Sequence, residues 1–421
     1  MKKVLVTILA LLLLLPLIAC DEAAAGELLM SDEPRDTSPE ISQEDLALLV
    51  QGNTAFAFDL YQALREQDGN LFYSPHSISV ALAMTYAGAR GLTGDQMAET
   101  LHFLLDQEKL HPAFNWLDLE LATRGEGAQG KDDQGFRLNV VNAIWGQKDY
   151  SFLSDFLDVL AHNYGAGLRI LDFMNETEQS RLTINRWVSD QTEGRIEDLI
   201  PQGAIDALTR LVLTNAIYFN AAWEYPFDEN MTADGPFYLL DGTQVTVPMM
   251  KESLSVGYVQ EQGYQAVELF YDGGELSMVI LLPDAGAFLA FEEGLDAEKV
   301  YDITAALQPR RILLSMPGFE FDSKFSLAAT LAEMGMPVAF SGAADFSGMT
   351  GSQDLFISDV VHKAFVSVDE AGTEAAAATA VIMPTSAPTV EVTIDRPFIF
   401  LIRDIDTGAI LFVGRVLNPG A

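Results

Sequence analysis

One cysteine, Cys20, occurs in 421 residues, so no disulfide can close within a single chain and the fold must stand on its core. Basic residues are scarce too: 24 Lys and Arg face 61 Asp and Glu, a formal charge of -37. That balance repels phosphate backbones and argues against general affinity for nucleic acid or anionic headgroups. The five histidines, at positions 76, 102, 111, 162 and 362, are scattered. No His-Glu-x-x-His helix, paired-cysteine zinc spacing or Gly-x-Ser-x-Gly elbow occurs, so neither a metal site, a cofactor nor a catalytic residue is expected, and the chain is not read as an enzyme. A Ser/His pair could still be assembled from distant residues, for example Ser74 with His362, the other role for such a histidine being a buried one that satisfies neighbouring hydroxyl and carbonyl groups. Gly125 to Lys131 copies the glycine and lysine positions of a phosphate loop, but Asp132 stands where magnesium needs Ser or Thr. Two local absences complete the set: no Arg or Lys between Lys363 and Arg396, and no proline from Ala371 through Met383.

What the chain does have is apolar residue, at 49%, ample for a sizeable core. Lys2-Lys3, an apolar run from Val4 to Ile18 and the closing Leu17-Ile18-Ala19-Cys20 describe a secretory signal too short for a comfortable membrane span. Its last four residues resemble the lipobox of bacterial lipoproteins, which implies a signal peptide over 1–19, acylation of Cys20 and an extracytoplasmic chain, membrane-anchored or secreted. Residues 20–43, acidic and poor in apolar periodicity, read as a flexible tether. From Glu44 a helical period begins and runs to Gly69-Asn70, and no linker or repeat interrupts the rest, so one domain is expected over 44–421. Helices are also predicted over 152–162 and 178–191. Strand-like runs fall at 138–145, 211–219, 266–271, 276–282, 312–316, 355–361, 390–394, 398–403 and 410–416. Helices early and strands late favour α+β over alternating α/β.

The stretch Glu370-Ala371-Gly372-Thr373-Glu374-Ala375-Ala376-Ala377-Ala378 is small and free of proline, suited to enter the middle of a sheet although alanine has poor strand preference. It resembles the hinge of the serpin family. So do Asn70 to Ser79, Leu213 to Trp223, His362-Lys363-Ala364-Phe365, Arg396 to Arg403 and Thr407 to Pro419, all in the family's order across 44–421.

The resemblance implies a serpin fold: a large central sheet of mostly antiparallel strands, about nine helices, further sheets and an exposed reactive loop. It implies an irreversible suicide-substrate inhibitor of serine proteases, in which cleavage lets the hinge enter the sheet while the acylated protease is dragged along and distorted. Thr373, Ala375, Ala377, Thr379 and Val381 would then face inward and Glu374 outward. The family spacing, counted from Glu370 and back from Pro397, places the reactive bond at Ser386-Ala387. Such a bond suits the shallow pockets of elastase-like or subtilisin-like partners rather than trypsin-like ones. Ser74, Ser77, Asn215 and His362 match the shutter, and Trp223, with Glu370 and Gly372, the breach. Many inhibitory members carry a basic residue where Gly318 follows Pro317 here, so Glu370 is expected to lack an ion-pair partner. The alternative is a non-inhibitory serpin serving as a surface binding protein; either is expected to be a monomer.

Overall fold

The computed structural model describes residues 26–126, 128, 137–373 and 390–421. Cys20 and the signal, Glu374 to Ala378 of the hinge, and Ser386 and Ala387 lie outside the described residues.

Local chemistry starts the helices where the sequence offers caps. Ser42 accepts the Asp45 amide at 3.0 Å with Glu44 and Asp45 in the first turn, which opens α1 (Gln43–Leu64). Ser74 accepts the Ser77 amide at 3.1 Å with Pro75 in the first turn, which opens α2 (Pro75–Tyr86). The remaining helices among the described residues are α3 (Gly91–Thr100), α4 (Gln107–Leu121), α5 (Ser154–Tyr164), α6 (Thr177–Gln191), α7 (Phe288–Glu293), α8 (Ala297–Ala306), α9 (Ala328–Met334) and α10 (Ser347–Thr350). That makes ten against the nine or so expected, two of them little more than a turn.

Two sheets take the rest. The first has seven strands in the order β1 (Glu27–Leu29), β4 (Leu168–Leu171), β3 (Arg137–Gln147), β5 (Leu211–Ala222), β13 (Gly372–Thr373), β12 (Ile357–Val368) and β11 (Phe319–Ser326). The second runs β14 (Val390–Thr393), β10 (Gln308–Pro317), β7 (Gln244–Glu261), β8 (Tyr264–Phe270), β9 (Leu276–Pro283), β15 (Phe398–Asp404), β16 (Ile410–Val416) and β2 (Leu71–Tyr73), with β6 (Ala233–Tyr238) on β7. Pairing in the first sheet is antiparallel except for β3 with β4 and β5 with β12.

The main core lies between the sheets and under α1 and α2, with Phe56, Phe72, Phe219, Phe400 and Phe412 buried in one cluster. A second, smaller cluster sits on the opposite face of the central sheet. There Ile184 and Val188 of α6 and Ile196, Leu199 and Ile200 after it cover Trp145, Val212, Ala216 and Val361. Where no disulfide is available, buried ion pairs fix the ends. Arg415 on β16 meets Glu292 at 2.9 Å and donates to the carbonyls of Arg65, Gln67 and Gly69, while Tyr61 Oη donates to Glu292 at 2.8 Å.

The reading of residues 20–43 as a flexible tether needs correction from Gly26 onward. Glu27 to Leu29 pair antiparallel with Leu168 to Ile170 and extend the sheet by one edge strand. Gly167 permits the approach, since a Cβ there would lie 2.5 Å from the Leu29 carbonyl oxygen. Downstream, Arg35 donates to Asn115 Oδ1 at 2.9 Å and to Asp118 Oδ2 at 2.6 Å, and the Asp36 amide to the His162 carbonyl at 2.9 Å. An edge strand of three residues needs backbone partners rather than periodicity, so its composition carried no signal. Arg35→Ala is expected to expose this segment: limited proteolysis should cut within 26–42 faster than in the native chain while leaving the rest intact.

Candidate functional site: a seam in the central sheet

β5 and β12 run parallel and pair directly from Leu211 with Ile357 to Tyr218 with Phe365. Past that point they part, and β13 lies antiparallel between them: Gly372 opposite Ala222, Thr373 opposite Ala221 on one side and Val368 on the other. The sheet is therefore closed along one stretch and already open at its end.

A polar row crosses the closed part. Asn142, Asn215, His362 and Phe325 stand on one rung of four neighbouring strands. His362 Nε2 accepts the Ser74 amide at 3.3 Å, which leaves Nδ1 to donate to Asn215 Oδ1. Asn215 Nδ2 donates to Ser77 Oγ and to Asn142 Oδ1, and Asn142 Nδ2 to the Ser77 carbonyl at 3.3 Å. The start of α2 is thus bonded to both sides of the seam through short polar groups that can exchange partners. Burial lowers the His362 pKa to about 3, so the imidazole is neutral at pH 7. Phe325 stacks on it at 6.1 Å between ring centroids.

A second cluster holds the open end. After β12 the chain reverses in a turn closed by Asp369: its carboxylate accepts the amides of Ala371 at 2.9 Å and Gly372 at 3.1 Å, and its own amide donates to the Gly372 carbonyl at 2.9 Å. Trp223 Nε1 donates to the Asp369 carbonyl at 3.1 Å and the Trp223 amide to the Ala371 carbonyl at 2.8 Å. Trp223 also stacks on Tyr271 at 4.7 Å, and Tyr271 Oη bonds Thr373 Oγ1 at 2.9 Å in the core. A Cβ on Gly372 would stand 2.2 Å from the Ala221 carbonyl oxygen, so only glycine passes between the strands here. Glu370 Oε1 accepts the Thr232 hydroxyl at 2.6 Å.

A family model described as Serpin (serine protease inhibitor) matches residues 51–419. The chain is a serpin. Leukocyte elastase inhibitor of Homo sapiens is 41% identical over 385 residues, 88% of this chain and 99% of that protein. An uncharacterised serpin-like protein of Thermococcus kodakarensis is 39% identical over 376 residues, 88% and 86% of the two chains. Among solved structures, uncleaved ovalbumin superposes with a TM-score of 0.79 at 27% identity, covering 88% of this chain and all of its own. Maspin reaches 0.81 at 25% identity, covering 90% and 100%.

The described members of the expected serpin sites fall into the two clusters. Ser74, Ser77, Asn215 and His362 meet at the seam, and Trp223, Glu370, Gly372 and Thr373 meet at its open end, with Thr373 facing the core as its parity required. Four partners were missed: Asn142, Thr232, Tyr271 and Asp369. Only Asn142 left a trace, as a polar residue inside the apolar run 138–145. Gly318 gives Glu370 no cation, and the carboxylate is bonded to a neutral hydroxyl instead.

Burial also lowers His76 and His111 to about 4. Unfolded histidine titrates near 6.5, so as pH falls from there toward 3 the unfolded chain binds more protons than the folded one and stability declines. The stabilisation is fully present above about pH 6.5. Thermal melts between pH 7 and 5 should show a falling midpoint, and His362→Gln should flatten that slope while lowering the midpoint at pH 7.

Proposed function

We propose that this serpin inhibits serine proteases as a suicide substrate, by cleavage of the reactive loop and insertion of the hinge into the central sheet. The observation that carries this reading is the seated start of the hinge. Gly372 and Thr373 already occupy the position a new strand would take between β5 and β12, and Thr373 presents a small side chain to the core. Each residue that follows would exchange a β5–β12 bond for bonds on two sides. Net gains of about 0.5–1.5 kcal/mol per hydrogen bond, summed along a strand, are large enough to oppose distortion of a bound protease. The trap is kinetic: insertion must finish before water resolves the acyl-enzyme.

The reactive bond is assigned to Ser386-Ala387, and the small Ser386 favours elastase-like or subtilisin-like pockets over those that demand Arg or Lys. The human relative's name, leukocyte elastase inhibitor, agrees with that class. Acylation at Cys20 would hold the inhibitor outside the cytoplasm as a monomer on a membrane. From Gly26 onward the chain is no part of such a tether, because β1 is part of the sheet.

The test is incubation with elastase, subtilisin, chymotrypsin and trypsin followed by denaturing electrophoresis and mass analysis of the released peptide. A boiling-resistant covalent complex with elastase or subtilisin, and a C-terminal fragment beginning at Ala387, are expected. Thr373→Arg should be cleaved without trapping, since the bulky cation would have to take the core position beside Tyr271. Full cleavage of the native chain with all protease still active would instead support a non-inhibitory binding protein.

A further inference from the structure

Away from the seam, where α1, α3 and α9 meet, a cleft of about 610 Å³ opens at the surface. Its polar lining offers acceptors and almost no donors. Asp59 Oδ2 accepts His102 Nε2 at 2.6 Å, while Asp59 Oδ1 accepts nothing among the described residues. The exposed Glu99 carboxylate, also in the lining, accepts nothing among them either. Gln62 donates both N–H groups of its amide, to the carbonyls of Glu292 at 2.9 Å and Leu295 at 2.8 Å, which leaves Oε1 as the end it can offer. Because an ionised carboxylate only accepts, His102 donates from Nε2, and its neutral ring holds Nδ1 as one more acceptor.

Two local conformations shape the cleft. At the end of α3 the Phe103 amide donates to the Ala98 carbonyl at 2.9 Å and the His102 amide to the Glu99 carbonyl at 3.3 Å, a closing pattern whose left-handed residue is usually glycine or asparagine. Here that residue is His102, at φ 52°, and the unfavourable backbone aims its imidazole at Asp59. At the end of α9 stands Gly335, at φ 144°, where a Cβ would lie 2.8 Å from Thr100 Oγ1. Thr100 is only 7% exposed, lines the cleft, and its hydroxyl has no partner among the described residues. Both helices bring their carbonyl ends, with partial negative charge, to this place, and neither has a basic residue in its last turn.

The cleft is therefore short of positive charge and of hydrogen-bond donors together. Among the described residues no three His, Asp and Glu side chains converge as a metal ion requires. Acceptors spread around a space of this size suit instead a cation whose own donors are spread. We propose that the cleft binds an organic cation bearing guanidinium or ammonium groups, held between Asp59 and Glu99 with Thr100 and Gln62 accepting its remaining N–H groups. The site does not depend on the inhibitory reading, since none of its residues lies on β5, β12 or β13.

The full chain, labelled for NMR of the histidine rings, is titrated with agmatine, a guanidinium and a primary ammonium joined by four carbons. The His102 signals should shift saturably while those of the buried His76, His111 and His362 stay in place, and sodium chloride at matching ionic strength should not reproduce the shift. By calorimetry, Asp59→Asn/Glu99→Gln should weaken agmatine roughly tenfold or more, and Thr100→Val, which keeps the shape and loses the acceptor, about threefold. His102→Asn, whose side chain tolerates the left-handed backbone, should also weaken agmatine while leaving the melting midpoint close to that of the native chain. If Thr100→Val does not fold, the exposed Asp59 and Glu99 pair carries the comparison. Absence of a saturable shift, a shift matched by sodium chloride, unchanged affinity in Asp59→Asn/Glu99→Gln, or tighter binding of calcium ions than of agmatine would overturn the proposal.

Discussion

One parallel pairing governs this molecule, that of β5 with β12. Its neighbours in the sheet are joined by ordinary ladders, but this pair is bridged from both faces by groups that are not part of the ladder. On the core face, α2 and the Asn142–Asn215–His362 row supply polar bonds that end on short, reorientable side chains. On the other face an apolar cover lies over the line. At one end the strands have already separated around Gly372 and Thr373. A sheet so arranged is shut by replaceable contacts and has a starting point for an added strand, which is what the proposed insertion mechanism requires.

Much of this was legible in the residues. The strands at 211–219, 276–282, 398–403 and 410–416 were marked by nearly continuous apolar runs because most of their residues are buried whichever face they point to, and the observed elements extend them by a few residues at most. Ser74-Pro75 carried a helix start in its own chemistry. Partners distant in sequence left no local mark. Tyr271 lies about a hundred positions from Thr373, and Thr232 still farther from Glu370, so neither is visible without the fold. The β1 strand was misread for a different reason: its stability comes from the exposed edge of β4 and from Gly167, not from its own sequence.

The shortage of cysteine and of basic residues explains where the few cations went. Arg415 and Arg124 are buried, the first against Glu292 and the second against Asp404, Glu120 and Glu275. Each draws strands of the second sheet onto helices from the start of the chain, a linkage that a disulfide would otherwise supply. Such pairs add little net stability, yet removing one partner leaves a buried charge uncompensated, so they specify arrangement strongly.

On the proposed mechanism, the native sheet lies short of its most stable arrangement and completes itself once the loop is cut. Thermal unfolding of the intact chain and of the chain nicked once between Thr373 and Val390 tests this most directly. If the hinge enters the sheet, a strand's worth of new bonds should raise the midpoint by roughly 10–20 °C. An unchanged or lower midpoint in the nicked chain would contradict the account.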